Sequence, residues 1–301
     1  MPVKRLAKTA LAGLLLGLAL AAAAGRIIVI EYPNGTRSGN LRYGPWVYTA
    51  NEPGGIRGRV GNLEILATKA VLEAPKGKSM QAAKGERTAT FEGEVVVRRG
   101  RIEARGKKLV YQEATGIGKL FGPAVMVQRP AKEGEDPVRV EAEGFLAFDV
   151  DDDTSESEGR VRLESGPQEG FAERVYYEEE RALAIFNTPG GRVRLVRHRE
   201  KGGDLVIEAE EARMLAREKK LLAKGNVVLT DGDLVTRGDA LYYDDEKGEA
   251  IVIGKPAVSE DRKRGRKLSA GTLLHDVQKH RVRLYGKPFS LPEAEFAAKK
   301  R

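Results

Sequence analysis

Apolar and polar residues alternate along most of this chain with a period of two, and the alternation returns at a fixed interval. Val95 and Val97 alternate with Glu94, Val96 and Arg98, and Ile102 restarts the pattern after Arg99-Gly100-Arg101. Leu109 and Tyr111 share parity with Val95 and Val97. Short period-two segments bounded by Gly or Asp-Gly predict strands joined in hairpins. The cassette Gly93-Glu94-Val95-Val96-Val97 comes back as Gly225-Asn226-Val227-Val228-Leu229, two steps of 66 residues later. Gly100, Leu109, Tyr111, Gly116 and Gly122 have partners at Gly232, Leu241, Tyr243, Gly248 and Gly254. A worn copy lies midway, with Gly159, Val161, Leu163, Gly166, Val175 and Tyr177. A long fixed period predicts stacked units that bury their apolar faces against neighbours.

One segment opposes this reading. Residues 208–224 (EAEEARMLAREKKLLAK) are good helix formers, and propensity alone predicts a helix. The stretch one period earlier holds Gly144 and Asp149-Val150-Asp151-Asp152-Asp153-Thr154-Ser155, and the one before that holds Pro75, Lys76 and Gly77. Those two cannot each be one unbroken helix. Equivalent units share a fold, so the prediction is strand, a turn near Glu218-Lys219-Lys220, and strand again.

Four segments follow from the pattern. Residues 1–24 form an export signal: Lys4, Arg5 and Lys8 precede an apolar run from Leu11 to Leu20, and Ala22-Ala23-Ala24 offers a cleavage site. That run is shorter than the ~20 residues a membrane-spanning helix needs; left uncleaved, the segment would act as an anchor. Residues 25–55 are rich in turn formers such as Pro33-Asn34-Gly35 and Pro53-Gly54-Gly55. Residues 56–291 carry the repeats, as one body or as two fused units near 56–190 and 191–291. Residues 292–301 make a charged tail, expected to fray. The acidic run Asp149 to Glu158 is expected to be a solvated loop.

Composition narrows the chemistry. The chain has no Cys, which removes disulfides, thiolate catalysis and Cys-bound zinc. Its net charge of +8 includes three cations of the export segment, leaving +5. For an exported protein this balance fits anionic lipid head groups or envelope polymers better than nucleic acid, or simply a mixed-charge soluble surface. Asn and Gln together number only 11, a bias seen in thermophile proteins.

Motifs of known chemistry are missing or bland. Gly116-Ile117-Gly118 with Gly122 has the wrong spacing for a phosphate loop and falls at a strand entry. Asp149, Asp151 and Asp153 begin like a calcium loop, but Thr154 and Arg160 occupy its Gly and Glu positions. His198, His275 and His280 form no metal spacing and are expected at the surface, the last two flanking a hairpin. No G-x-S-x-G, H-E-x-x-H or P-loop occurs. The chain therefore reads as a non-enzyme needing no cofactor and no metal.

Two features suggest a ligand surface. One is the register-matched apolar set Val95, Val97, Leu109, Tyr111; Val161, Leu163, Val175, Tyr177; Val227, Leu229, Leu241, Tyr243. These rows form either an ordinary sandwich core or the lining of a trough. The other is the basic hairpin tip of Arg262, Lys263, Arg264, Arg266 and Lys267 around Gly265, either a solvated turn or a head-group site.

The cassettes at Ala223–Val258 and, second, Phe91–Val125 resemble the OstA-like domain of lipopolysaccharide-export proteins, the LptA and LptC group. The resemblance implies an all-β, antiparallel, elongated β-jelly roll bent like an open taco, whose apolar trough holds acyl chains. It further implies a periplasmic lipid-transfer role, partners among other export components, and end-to-end self-association. An anchored form would fit the LptC side of the group. The chain departs from the pattern in its length and in its middle copy, which lacks the Gly-x-Pro exit. The rival classes are a structural envelope protein associating through sheet edges and a carbohydrate-active enzyme on a β-solenoid.

Overall fold

The computed structural model describes residues 25–200, 203–287 and 289–299. The export segment 1–24 lies outside the described residues. Regular structure is nearly all strand, and the strand pairings are antiparallel, as the alternation predicts. The chain divides into two compact units, one ending at Ala124 but including Ala147–Asp152, the other taking Val125–Leu146 and everything from Asp153.

The first unit contains β1 (Val29–Glu31), β2 (Gly35–Ser38), β3 (Trp46–Ala50), β4 (Ile56–Val60), β5 (Leu63–Ala67), β6 (Lys69–Glu73), β7 (Thr88–Arg99), β8 (Ile102–Gln112) and β9 (Ile117–Phe121). β7 and β8 form a long hairpin that bends in the middle. Glu92 faces Lys108 and Val95 faces Gly106, so Gly93 and Glu94 together oppose one residue. This is a β-bulge, and it lets one strand serve two layers. Before the bulge β7 pairs with β6; after it β7 pairs with β5. One layer therefore runs β2–β3–β6–β7–β8–β9 and the other β1–β4–β5–β7. The layers touch across the core: a Cβ placed on Gly58 of β4 would lie 2.5 Å from the Phe91 ring of β7.

The second unit holds β10 (Ala124–Gln128), which starts on the boundary residue, and β11 (Val138–Ala142); the boundary also cuts β12 (Phe145–Asp149). It continues with β13 (Thr154–Ser165), β14 (Gln168–Glu178), β15 (Leu183–Asn187), β16 (Val193–Arg197), β17 (Leu205–Ala209), β18 (Glu211–Leu215) and β19 (Lys220–Asp231). β20 (Leu234–Asp244), β21 (Glu249–Asp261), β22 (Arg266–Asp276), β23 (Arg281–Leu284) and the 3-10 turn Glu293–Phe296 complete it. The hairpins β13–β14 and β19–β20 repeat β7–β8 at 66-residue steps, with bulges at Gly159-Arg160 and Gly225-Asn226. Their two-residue loops place Gly100, Gly166 and Gly232 at φ between 53° and 57°, as a first-position Gly in a tight hairpin requires. One layer contains β14–β15–β18–β19–β20–β21, the other β14–β16–β17–β19–β20–β21.

The segment 208–224 is β-structure, divided among β17, β18 and β19 with a turn at 216–219. Alternate burial against two neighbours outweighs helix propensity here: Ala212 and Met214, then Leu221 and Ala223, are all buried. The period that led to this prediction is imperfect, however. β11 and β17 pair with equivalent halves of β13 and β19, and their β7 counterpart is β5, starting 75 residues before β11. The segment 74–87 is longer than its later counterparts, so Pro75 to Gly77 are not equivalent to residues 141–143.

Three further expectations change. Only 150–153 of the acidic run is loop, because β13 begins at Thr154 and buries Ser155 and Ser157 on its core face. Composition cannot separate a core-facing serine from a loop serine. His275 is fully buried, not at the surface. Residues 292–299 of the tail do not fray: Phe296 is fully buried against Leu183, Leu215 and Leu222, and the Lys299 N–H donates to Glu178 Oε1 at 2.6 Å.

Candidate functional site

All twelve residues of the apolar rows are buried, none more than 4% exposed. The two layers share them evenly. Val95 and Val97 stand beyond the bulge of β7, while Leu109 and Tyr111 stand on the half of β8 that pairs with β9. The same division holds for Val161 and Leu163 against Val175 and Tyr177, and for Val227 and Leu229 against Leu241 and Tyr243. These rows are the facing inner surfaces of each unit.

Between the layers of the second unit lies a narrow cleft of about 20 Å³. Leu195 and Val196 of β16 and Leu205 and Ile207 of β17 form one wall; Met214, Leu221 and Tyr243 form the other. Of the apolar rows only Tyr243 reaches it. The remaining wall residues lie outside the cassettes, Leu221 at the start of β19 and the others in β16, β17 and β18, which the repeat does not mark; Met214 and Leu221 fall in the segment of helical propensity. The signal that could have found them is the alternation Val193-Arg194-Leu195 and Leu205-Val206-Ile207. The walls approach closely enough that an acyl chain enters only if the layers part.

Polar groups rim this cleft. Gln168, Glu169 and Arg197 line it beside the apolar walls. Arg197 Nε lies 2.9 Å from both Asp245 carboxylate oxygens, and the Tyr243 hydroxyl donates to Asp245 Oδ1 at 2.6 Å. Burial, followed by the Asp245 contact, pushes the Tyr243 hydroxyl far above the usual phenol range. Burial also pushes the Glu169 carboxyl up, but the partners Arg162 and His198 outweigh it and the net shift is downward. His198 is raised, chiefly by its bond to Asp204. The rim is thus charged at neutral pH, with the cation of Arg197 held in place.

The basic tip is a hairpin turn between β21 and β22, with Arg262, Lys263, Arg264, Arg266 and Lys267 exposed. Arg264 and Lys267 pair with Asp261 and Glu260 at 3.5 Å each, which offsets part of its charge.

A chain of buried polar groups lies in the second unit. Thr236 donates to Ser259 at 2.9 Å and contacts His275 Nδ1 at 3.1 Å; His275 Nε2 contacts Asp231 Oδ2 at 3.0 Å. Arg199 closes the chain on Asp231 Oδ1 at 2.6 Å. The residue types match a hydroxyl–imidazole–carboxylate triad, but Thr236 and His275 are both 0% exposed, so no substrate reaches the hydroxyl. Among the described residues no group of three or more His, Cys, Asp or Glu is placed to hold a metal ion. No helix among them is long and apolar enough to cross a membrane.

Residues 54–136 match the family model described as LptA/(LptD N-terminal domain) LPS transport protein. The resemblance drawn from the cassettes therefore holds over this stretch, under a third of the chain. It contains the Phe91–Val125 copy, which the sequence alone ranks second. Among solved structures, the chain is similar to LptH of Pseudomonas aeruginosa, the LptA homologous periplasmic component of a lipopolysaccharide transport device. Identity there is 17%, the alignment covers 43% of this chain and 84% of that one, and the TM-score is 0.35. At that level the likeness says nothing about function. No curated protein matches the chain.

Proposed function

We propose that this protein is a non-enzymatic periplasmic carrier that holds lipopolysaccharide or a related anionic glycolipid between its β-layers on the way to the outer membrane. The observation that carries the reading is the cleft between the layers of the second unit, apolar on both walls and rimmed by Arg197 and Glu169. The family match at residues 54–136 supports the same reading in the first unit. Acyl chains cannot cross water unshielded, since each buried CH₂ is worth about 0.8 kcal/mol. Parting the layers replaces side-chain contacts by acyl contacts, and no covalent step is required. Energy for directed movement comes from a partner.

The two compact units correspond in this reading to two fused jelly rolls, divided near residues 124–153 rather than at 190. Sheet edges supply the partner contacts. Among the described residues β1 and β2 each pair on one side only, as does the Arg266–Ala270 half of β22. Unpaired edges accept strands from other export components or from a second copy.

Photo-crosslinkers at Val97, Tyr111, Val161, Leu229 and Tyr243, and at Leu195 and Ile207, test the reading in living cells. Mass spectrometry should find lipid adducts at Tyr243, Leu195 and Ile207 and at rows of the first unit. Adducts to protein alone would remove the carrier reading and favour a structural envelope role. Glycan turnover by the purified protein would favour the solenoid enzyme.

A further inference from the structure

Two exposed large side chains stand on one short loop, Leu41 at 73% and Tyr43 at 52%. Nothing in the repeat calls for them, since the loop joins β2 to β3 ahead of the first cassette. The loop is held firmly. The Arg42 and Tyr43 N–H groups both donate to Asn40 Oδ1 at 2.9 Å, and the Trp46 indole N–H donates to Asn40 O at 3.1 Å. From below, the Met80 N–H donates to Arg42 O at 2.8 Å, and Met80 is 1% exposed. Met80 belongs to segment 74–87, the stretch that is longer here than in the later repeats. The extra residues thus buttress a loop whose apolar tip points into solvent.

Two arginines stand over the aromatic rings here. Arg42 stacks over the Tyr43 ring at 5.2 Å, and Arg37 stacks over Trp46 at 5.0 Å. Exposed Lys76 and Lys84 flank Met80 in the buttress. Among the described residues Arg42, Lys76 and Lys84 form no ion pair, while Glu86 is taken up by Lys78. A leucine and two aromatic rings, with Arg42 and Arg37 over the rings and Lys76 and Lys84 exposed on the supporting segment, match the layering of a bilayer surface. Apolar groups reach the acyl boundary there, aromatic rings sit at the interface, and cations meet anionic head groups. A protein partner would need acidic groups placed one by one; an anionic membrane supplies them everywhere.

We infer that the Asn40–Trp46 loop is a docking element that seats the first unit on an anionic lipid bilayer. The inference goes beyond the carrier role: the cleft holds single lipid molecules, whereas this loop binds a membrane surface. The chain provides its own reporter, since Trp46 is its only tryptophan.

The test uses the protein as cells produce it, with its N-terminus read by sequencing, and follows Trp46 emission. The vesicles are phosphatidylglycerol–phosphatidylcholine mixtures or phosphatidylcholine alone. Anionic vesicles should shift the emission to the blue and allow quenching by acyl-brominated lipid, and about 0.5 M salt should reverse much of the effect. Leu41→Asp should weaken the vesicle affinity at least tenfold, and Arg42→Glu should do the same without removing any apolar group. Circular dichroism of both variants should match the parent. No emission change with anionic vesicles would overturn the inference, as would an equal change with phosphatidylcholine alone or one that both variants preserve. A response of Trp46 to envelope protein but not to vesicles would assign the loop to a protein partner instead. Crosslinking from Tyr243 reads the cleft and Trp46 reads the loop, so either reading can fail alone.

Discussion

At the scale of single residues, the groups that hold this molecule together are buried charges the alternation does not reveal. Arg87 and Glu113 form a bidentate pair with side chains 5% and 0% exposed. Glu113 also accepts from the backbone N–H groups of Ile28, Gly85 and Arg87, joining the N-terminal segment to the first hairpin. Removing one partner of such a pair leaves an uncompensated buried charge. Glu113→Gln should therefore cost about 3–5 kcal/mol in chemical denaturation, out of proportion to its size. Asp231 gives a pH-dependent counterpart. Burial pushes its carboxyl up, but the bonds from His275 and Arg199 outweigh burial and the pKa ends below the ordinary carboxylate value. A depressed folded pKa gives stability that is present above the unfolded value, about 3.9, and lost as pH falls through the folded one. Denaturation midpoints should drop below about pH 4, and Asp231→Asn should flatten that drop while lowering stability at pH 7. An unchanged acid limb in the variant would remove Asp231 from the account. None of this is legible in the chain, because Asp231, Thr236, Ser259 and His275 are scattered over 44 positions and meet only through strand pairing.

At the scale of elements, the Gly-x pair of each cassette proves to be the corner of the fold. Gly93, Gly159 and Gly225 take φ of 79°, 90° and 79°, and the residues after them, Glu94, Arg160 and Asn226, are also left-handed at 49°, 41° and 45°. Left-handed backbone costs an ordinary residue about 1–2 kcal/mol. Two substitutions of opposite sign follow. Gly93→Ala places a Cβ 2.0 Å from Thr68 Oγ1 as well as at positive φ, and should destabilise by more than 1 kcal/mol. Glu94→Gly relieves strain at an exposed site and should stabilise by about 1 kcal/mol. Denaturant midpoints decide both; a loss of stability in Glu94→Gly would contradict the corner argument. The repeat made these corners visible as spaced glycines, and it exposed 208–224 as strand against its helix-forming composition. It also misled where it was taken as strict. The longer segment 74–87 shifts β5 and β6 out of phase, and no local signal announces a change of loop length.

At the scale of the whole molecule, the class of fold was legible because a two-residue alternation recurring at one long period admits few solutions other than stacked antiparallel β-structure. What each face does was not legible, because a trough lining and a closed core need the same apolar alternation. Val97 and Tyr243 carry the same pattern, yet only Tyr243 lines the cleft. The tail shows the same limit from the other side. Residues 292–301 read as charged and free, but one aromatic decides the fate of 292–299. Phe296 covers an apolar patch of Leu183, Leu215 and Leu222, with Ile185, Tyr242 and Leu291 packed around it. Arg213 and Arg181 bind the carbonyls of Phe296 and Ala297 at 3.0 and 2.8 Å, fixing the turn over β15 and β18. Phe296→Ala should cost about 3–5 kcal/mol, the usual range for emptying a buried aromatic site. The loss should be local, since opening free energies differ between parts of a structure. Hydrogen exchange should accelerate in β15, β18 and β19 of the second unit, while β5 and β7 of the first keep their protection. Equal acceleration in both units would mean that the chain unfolds as one cooperative body and that the division into two units has no energetic counterpart.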